Sequence, residues 1–277
     1  MIRRLIVTHH APDLDAIAAT WLLKRFDAQH YATAKVVFVN PGDSFPAEEA
    51  EAMGIQSDLI TYVDTGLGQF DHHQADRGQQ FISATSLVYD HLCQLHPELK
   101  DDLALQDIAQ HCTEIDHFGE IYWPEADHVR YEFMLHELIR GLEFQDPHND
   151  DQQLQFGFTC LDSVYASITL RHKAQEILAQ DGKSFELPDA QALAIESSNG
   201  DTEKLAQKKG YDLVVRKDPK LGSIRIKLRP DTQFDLKPVA ELIHEHDTVG
   251  TWYYHPSGKM LLNGSSKHRD QKPSPLT

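Results

Sequence analysis

RRLIVTHHAPDLDAIAATWLLKRF, residues 3–26, runs from a β-rich segment through a turn of His, Pro and Asp into an apolar stretch with helical spacing. Val and Ile favour the extended run, and Asp13 or Asp15 suits the N-cap of the helix that follows. Outward from this stretch, AKVVFVN (34–40), PAEEAEAM (46–53) and DLITYVDTG (58–66) continue the alternation of short strands and helices. Strands separated by helices predict βαβ units and a parallel sheet. SATSLVYDHLCQL (83–95), DDLALQDIAQHCTEI (101–115) and RYEFMLHELIRGLEF (130–144) read as amphipathic helices. Leu154, Phe158, Leu161, Tyr165 and Ile168 recur at steps of four and three, which predicts one long helix reaching toward Gln180.

Gly and Pro in DGKSFELPD (181–189) break that periodicity and read as a linker. Beyond it, ALAIES, DLVVRKD, SIRIKLRP and TWYYHPSGKMLLNGS alternate with the helical DTEKLAQKKG and LKPVAELIHEH, which describes a small α+β unit. The expected architecture is therefore α/β: an N-terminal parallel-sheet domain with flanking helices over residues 1–150, a linking helix and linker over 151–188, and a smaller α+β domain over 189–277. At 277 residues the chain is long enough for two cores.

Charge narrows the functional classes. Lys and Arg number 26 against 43 Asp and Glu, a net charge of −17, which argues against holding long duplex nucleic acid by phosphate neutralisation. Residues 203–230 are the exception, with nine basic side chains against three acids; they read either as a solvated face or as a local anion clamp. No apolar run approaches the roughly 18 residues of a membrane span. The N-terminus reads as a first strand rather than a signal peptide, so a cytoplasmic protein is expected. Cys93, Cys112 and Cys160 are scattered, with no CxxC pair, and are expected to be buried apolar residues.

Acid and histidine residues gather where strands and helices should end. His9, Asp13 and Asp15 leave the first strand, Asp64 stands at the tip of another, Asp71, His72 and His73 follow in FDHHQ, and Asp116 closes a helix. Taken singly, each has an ordinary reading as a cap or turn residue. Together, carboxylates and imidazoles at one sheet edge, where open parallel sheets bind ligands, would repel or go unsatisfied without a cation. Of these, His9, Asp13, Asp15, Asp64, His72 and Asp116 give four carboxylates and two imidazoles, which exceed one ion's needs and suit a two-metal phosphoryl-transfer centre. Two histidines among oxygen ligands favour Mn²⁺ over Mg²⁺, with Co²⁺ or Mg²⁺ as substitutes.

These segments resemble the DHH phosphoesterase superfamily, which includes RecJ-type exonucleases, nano-RNases, exopolyphosphatases and manganese pyrophosphatases. HxxPDxDA is matched by His9, Pro12, Asp13, Asp15 and Ala16, and the later motifs by Asp64 in YVDTG, by Asp71, His72 and His73, and by Asp116. ISATSLVYDHL after the third motif is similar to the same family. The spacing departs from the common pattern: Asp64 lies only seven residues before Asp71, and VDTGLGQFDHHQ is similar to the compact segment of the melanocyte-proliferating-gene family of DHH-like exonucleases.

The resemblance implies roles. His9, Asp13 and Asp64 would hold one Mn²⁺; Asp15, Asp64, His72 and Asp116 would hold a second, with Asp64 bridging. Asp71 would orient a ligand histidine, and His73 would face the substrate phosphate and assist the leaving group. The C-terminal IKLRPDTQFDLKPVAELI is similar to the substrate-binding domain of many DHH enzymes, but HPSGKMLLNGSSKH (255–268) stands where the usual GGGH signature would be. Arg225, Lys227 and Arg229 alternate along a predicted strand and share one face, and Lys267, His268 and Arg269 add donors nearby, so these residues read as a clamp for substrate phosphate.

The function expected is Mn²⁺-dependent hydrolysis of a phosphodiester or phosphomonoester of a small or short-chain nucleotide. The partner is a small phosphorylated substrate or short oligonucleotide, with no long duplex and no membrane, and a homodimer is compatible with the sequence. Alternatives are a single-strand RNA or DNA exonuclease, a pyrophosphatase or exopolyphosphatase, and a non-catalytic metal-bound nucleotide sensor.

Overall fold

The computed structural model describes residues 4–264 and 270–276. The chain divides into two compact units, 1–166 and 167–277. The first unit runs β1 (Leu5–His9), α1 (Leu14–Phe26), α2 (Ala28–Tyr31), β2 (Lys35–Val39), α3 (Ala47–Ala52), β3 (Ile60–Tyr62), α4 (Ala84–Leu95), α5 (Leu103–Asp116), α6 (Leu135–Gln145) and the first half of α7 (Asp150–Asp181). The second takes the rest of α7, then β4 (Lys183–Leu187), β5 (Ala190–Glu196), α8 (Asp201–Lys208), β6 (Leu213–Lys217), β7 (Ile224–Leu228), α9 (Lys237–His246), β8 (Trp252–Tyr254) and β9 (Met260–Asn263).

In the first unit β1 lies between β2 and β3, parallel to both, as the βαβ reading of the first 66 residues requires. Leu5, Ile6 and Val7 are fully buried, and each such side chain is worth roughly 1.5–3 kcal/mol relative to exposure. Val39, Ile55 and Tyr62 close this core. Asp13 caps α1 by accepting from Ala16 N at 3.0 Å, and Lys24 and Arg25 sit at its opposite end, complementing the helix dipole. Every residue of α1 from Leu14 to Leu23 is buried, as expected of a helix apolar on most faces. Gly157 of α7 allows close approach to this helix: a Cβ there would meet Ile17 Cγ2 at 2.5 Å. Among the described residues, no helix is long and apolar enough to cross a membrane.

The second unit is built on a six-stranded mixed sheet of order β4-β5-β6-β7-β9-β8. Residues 181–189, which read as a linker, instead contain β4, paired antiparallel with β5 through a turn at Asp189 with φ 62°. Ile224, Ile226, Leu228 and Leu261 form one core of this unit, and Leu193, Ile195, Ala206 and Val214 another. The division between the units falls within α7, after Ala166, rather than at the Gly- and Pro-containing stretch.

Candidate metal centre

The C-terminal ends of β1 and β3 deliver the first side chains. β1 ends at His9, and the chain turns through Ala11, at φ 50°, before Asp13 and Asp15 enter α1. Asp64 follows β3 in the left-handed region, at φ 56°, a conformation that costs energy for a residue with a Cβ and concentrates at functional sites. The loop after it is short because it folds back at once: Val63 bridges Phe70, and Asp64 N donates to Phe70 O at 2.8 Å. Gly66, at φ 72°, makes that return feasible, since a Cβ there would lie 2.4 Å from Tyr62 Cδ1. The seven-residue spacing thus sets Asp71, His72 and His73 directly beside Asp64, and α5 ends with Asp116 facing them.

The ligand atoms converge. Asp64 Oδ2 lies 3.3 Å from His9 Nε2, and its Oδ1 lies 3.2 Å from His72 Nε2. His72 Nε2 is in turn 3.6 Å from Asp116 Oδ2 and 3.9 Å from Asp15 Oδ2. Three groups each bring their ligand atoms within 4.8 Å of one another: His9, Asp13 and Asp64; Asp64, His72 and His73; His72, Asp116 and His117. Asp64 Oδ1, His72 Nε2 and Asp116 Oδ2 are buried and complete no hydrogen bond among the described residues. Buried polar atoms are rarely left so, and three facing one another at these distances fit a divalent cation. Oxygen and imidazole donors without thiolate suit a hard or borderline ion.

Neighbouring groups fix the orientation of these donors. His9 Nδ1 donates to His10 O at 2.8 Å, which leaves Nε2, on the Asp64 side, with the lone pair of the neutral ring. Asp15 is 2% exposed, and its carboxylate accepts from Ala84 N at 2.7 Å and Thr85 N at 2.9 Å, the first amides of α4. It is therefore also the anion at that helix N-terminus. Asp71 is buried; its Oδ1 accepts from His73 Nδ1 at 2.8 Å and His73 N at 3.1 Å, and its Oδ2 from Leu67 N at 2.6 Å. Asp71 thus holds the ring of His73, whose side chain is 61% exposed, rather than that of His72.

Charge at the centre is balanced by protons. Burial would lower the pKa of His9, but contact with Asp64 and the charge of Asp13 raise it to about 9. His72 is raised to about 9 by its contact with Asp64, against burial and with help from Asp116 and Asp15. Burial, with the charges of Asp64 and Asp13, raises Asp116 to about 6 although His72 opposes it. Asp15 is pushed well up by burial and by Asp64 and Asp116. Asp64 alone is held below the usual carboxylate range: burial works against this, but His72 and His9 outweigh it. A cation can replace the imidazole protons that this arrangement otherwise retains.

Four residues here carry no sequence signal strong enough to single them out. Asp150, the first residue of α7, accepts from His10 Nδ1 at 2.6 Å and Ala11 N at 2.8 Å, bracing the turn between His9 and Asp13. His10 is half-exposed. His117 Nε2 donates to Ile82 O at 3.0 Å and lies 3.9 Å from Asp116 Oδ2; its place beside Asp116 is the one available cue. Gln153 and His136 line, with the ligand residues, a cavity of about 800 Å³ within the first unit.

The basic residues of the second unit are more occupied than their alternation implies. Lys227 pairs with the buried Glu203, and Arg229 with Asp231 and Asp212. Arg216 is buried between Glu203 and Asp218, 3.7 Å from each. Arg225 has no ion-pair partner among the described residues. Lys267, His268 and Arg269 lie outside the described residues.

No family model matches the chain, and no curated protein sequence does. Among solved structures it is similar to a DHH domain described as a member of the s1p family of ribosomal proteins, at 13% identity and TM-score 0.33, covering 94% of this chain and 82% of that one. It is similar to RecJ from Thermus thermophilus in complex with Mn²⁺, at 15% identity and TM-score 0.32, covering 95% of this chain and 50% of that one. A manganese-bound exonuclease RecJ gives 14% identity and TM-score 0.31, covering 95% and 86%. The chain thus spans about half the length of the Thermus thermophilus RecJ.

Proposed function

We propose that the chain is a Mn²⁺-dependent phosphoesterase that hydrolyses a phosphodiester or phosphomonoester of a small or short-chain nucleotide at a two-cation centre. The observation that carries this reading is the set of three buried atoms that complete no hydrogen bond among the described residues, Asp64 Oδ1 after β3, His72 Nε2 in the following loop and Asp116 Oδ2 at the end of α5, facing one another at 3.2 and 3.6 Å. His9, Asp13 and Asp64 would hold one cation, and Asp64, His72 and Asp116, with Asp15, the other. When bound, such cations neutralise phosphoryl oxygens and acidify water.

The chain's own groups supply the rest. Asp64, contacted by both histidines, is the natural bridge, and its strained backbone is held by Asp64 N donating to Phe70 O. His73 lines the cavity with its Nδ1–H committed to Asp71, which leaves Nε2 as the ring atom that would meet a leaving oxygen. Asp71 keeps that ring from rotating away. In the second unit Arg225 is the basic strand residue left to meet an anion.

A net charge of −17 favours a short substrate over an extended polyanion. Turnover of oligonucleotides from 2 to 20 residues, beside pyrophosphate and nucleoside bisphosphates, tests this reading. Efficiency should fall with length and be restored after chelation by Mn²⁺ and poorly by Mg²⁺. A flat or rising length profile would instead assign a processive exonuclease.

A further inference from the structure

The cavity lined by Asp13, Asp15, His72 and Asp116 is also lined by residues that the hydrolytic reading leaves without work. These are Phe118, Glu120 in the turn after α5, His136, Glu137 and Arg140 of α6, and Gln153 of α7. Gln153 is 2% exposed, and its Oε1 has no hydrogen-bond partner among the described residues. Glu120 Oε2 and His136 Nδ1 are likewise buried and unpartnered. Leaving one such group unmatched is costly, and three around one cavity mark a surface built for a polar ligand.

Their chemistry specifies the ligand. An amide oxygen and a carboxylate oxygen are acceptors, so what fits between them must donate N–H or O–H groups. A phosphate does not, and the carboxylates of Glu120, Glu137 and Glu143, against the single cation of Arg140, would repel it. Phe118, held at φ 56° after α5, presents a ring that is 69% exposed at the cavity and stacks on no other ring among the described residues. An exposed aromatic face beside buried acceptors is the combination that holds a nucleobase, by stacking and by edge recognition. The volume of about 800 Å³ lies within the range of small-molecule sites.

We propose that this set of residues is a nucleobase subsite selective for a base with an exocyclic amine, with Gln153 Oε1 and Glu120 Oε2 accepting its N–H groups and Phe118 stacking on its face. Placing the substrate phosphate at the ligand cluster, with the base on this set, rests on the phosphoester reading above; the subsite itself does not require the metals.

Calorimetric titration of adenosine and of inosine into the full chain, with chelator and with Mn²⁺, tests the subsite separately from catalysis. Adenosine should bind about tenfold to a hundredfold more tightly than inosine, which carries a carbonyl in place of the amine. Gln153→Leu should abolish the preference. Phe118→Ala, at an exposed position that leaves the core intact, should weaken both nucleosides by about tenfold. Equal binding of the two nucleosides, or binding of neither, would overturn the subsite, and so would a Phe118→Ala protein that binds as tightly as wild type. Hydrolysis of bis-p-nitrophenyl phosphate by the same wild-type preparation keeps the two claims apart: turnover without adenosine preference removes the subsite alone, and adenosine preference without turnover removes the phosphoesterase reading alone.

Discussion

Loading the chelated protein with Mn²⁺ should release protons, in a number that the geometry sets. His9 Nε2 and His72 Nε2 both face Asp64, and each ring is raised to about 9. At pH 7.5 a group with that pKa is roughly 97% protonated, and a nitrogen cannot keep a proton and ligate a cation. Filling the centre therefore displaces at least the two imidazole protons per chain, with any proton held by Asp15, whose carboxyl is pushed well up by burial and by Asp64, in addition. Each displacement costs about 2 kcal/mol at pH 7.5, so the apparent affinity for each cation should rise about tenfold per pH unit between pH 6.5 and 8.5, about a hundredfold for the two together, and level off above about pH 9. Asp116, raised to about 6, is ionised across that window and adds a further proton only below it. Calorimetric titration of Mn²⁺ in buffers of differing ionisation enthalpy counts the protons directly. Release of fewer than one proton, or an affinity flat from pH 6.5 to 8.5, would show that the two histidines are not ligands.

The adjacent histidines should separate cleanly. His72→Ala should lower metal content, whereas His73→Ala and Asp71→Asn should retain both cations and reduce turnover, by roughly 10²- to 10⁴-fold for His73, with a smaller loss on a p-nitrophenyl leaving group that needs little protonation. Metal analysis beside rates on good and poor leaving groups reads this, and loss of a cation from His73→Ala would contradict it. Gly66→Ala should destabilise the first unit by about 1–3 kcal/mol, because it combines a positive φ with a Cβ driven into the Tyr62 ring; denaturant melts would show it. Without metal, stability should fall in alkali. His9 and His72 have folded pKa values above their unfolded ones, so their contribution is complete below about pH 6.5 and is lost as pH rises through about 9. The chelated protein should therefore melt several degrees lower at pH 9.5 than at pH 6.5, and the Mn²⁺-loaded protein should change less.

The first unit is legible where local chemistry and tertiary demand agree. The β1–α1 run can be read because Leu5–Val7 are β-forming and Asp13 is a cap, and the packed structure uses both. The candidate ligand residues can be picked out because acid and imidazole gathered at element ends have few other ways of being satisfied. Asp71 pairs with His73 and not His72, because sequence adjacency cannot say which of two neighbouring rings turns back toward a buried carboxylate. Gln153, His136 and Asp150 carry no local signature; packing alone gives them their surroundings. Residues 183–187 form a strand despite the flanking Gly and Pro, since pairing with β5 decides the matter. Arg225 and Lys227 alternate along β7 as read, but Arg229 lies just past its end at Leu228, and the partners Glu203, Asp212 and Asp231 come from outside the strand, so the alternation overstates the free charge of that face.

On the proposed mechanism, phosphoester hydrolysis depends on two cations at the Asp64 cluster. Turnover of bis-p-nitrophenyl phosphate, followed as Mn²⁺ is titrated into chelated protein at a concentration well above its metal affinity, tests it most directly. The rate should remain low at the first equivalent, rise steeply, and saturate at two equivalents of Mn²⁺ per chain. Saturation at one equivalent, or no turnover at any Mn²⁺ concentration, would contradict the account.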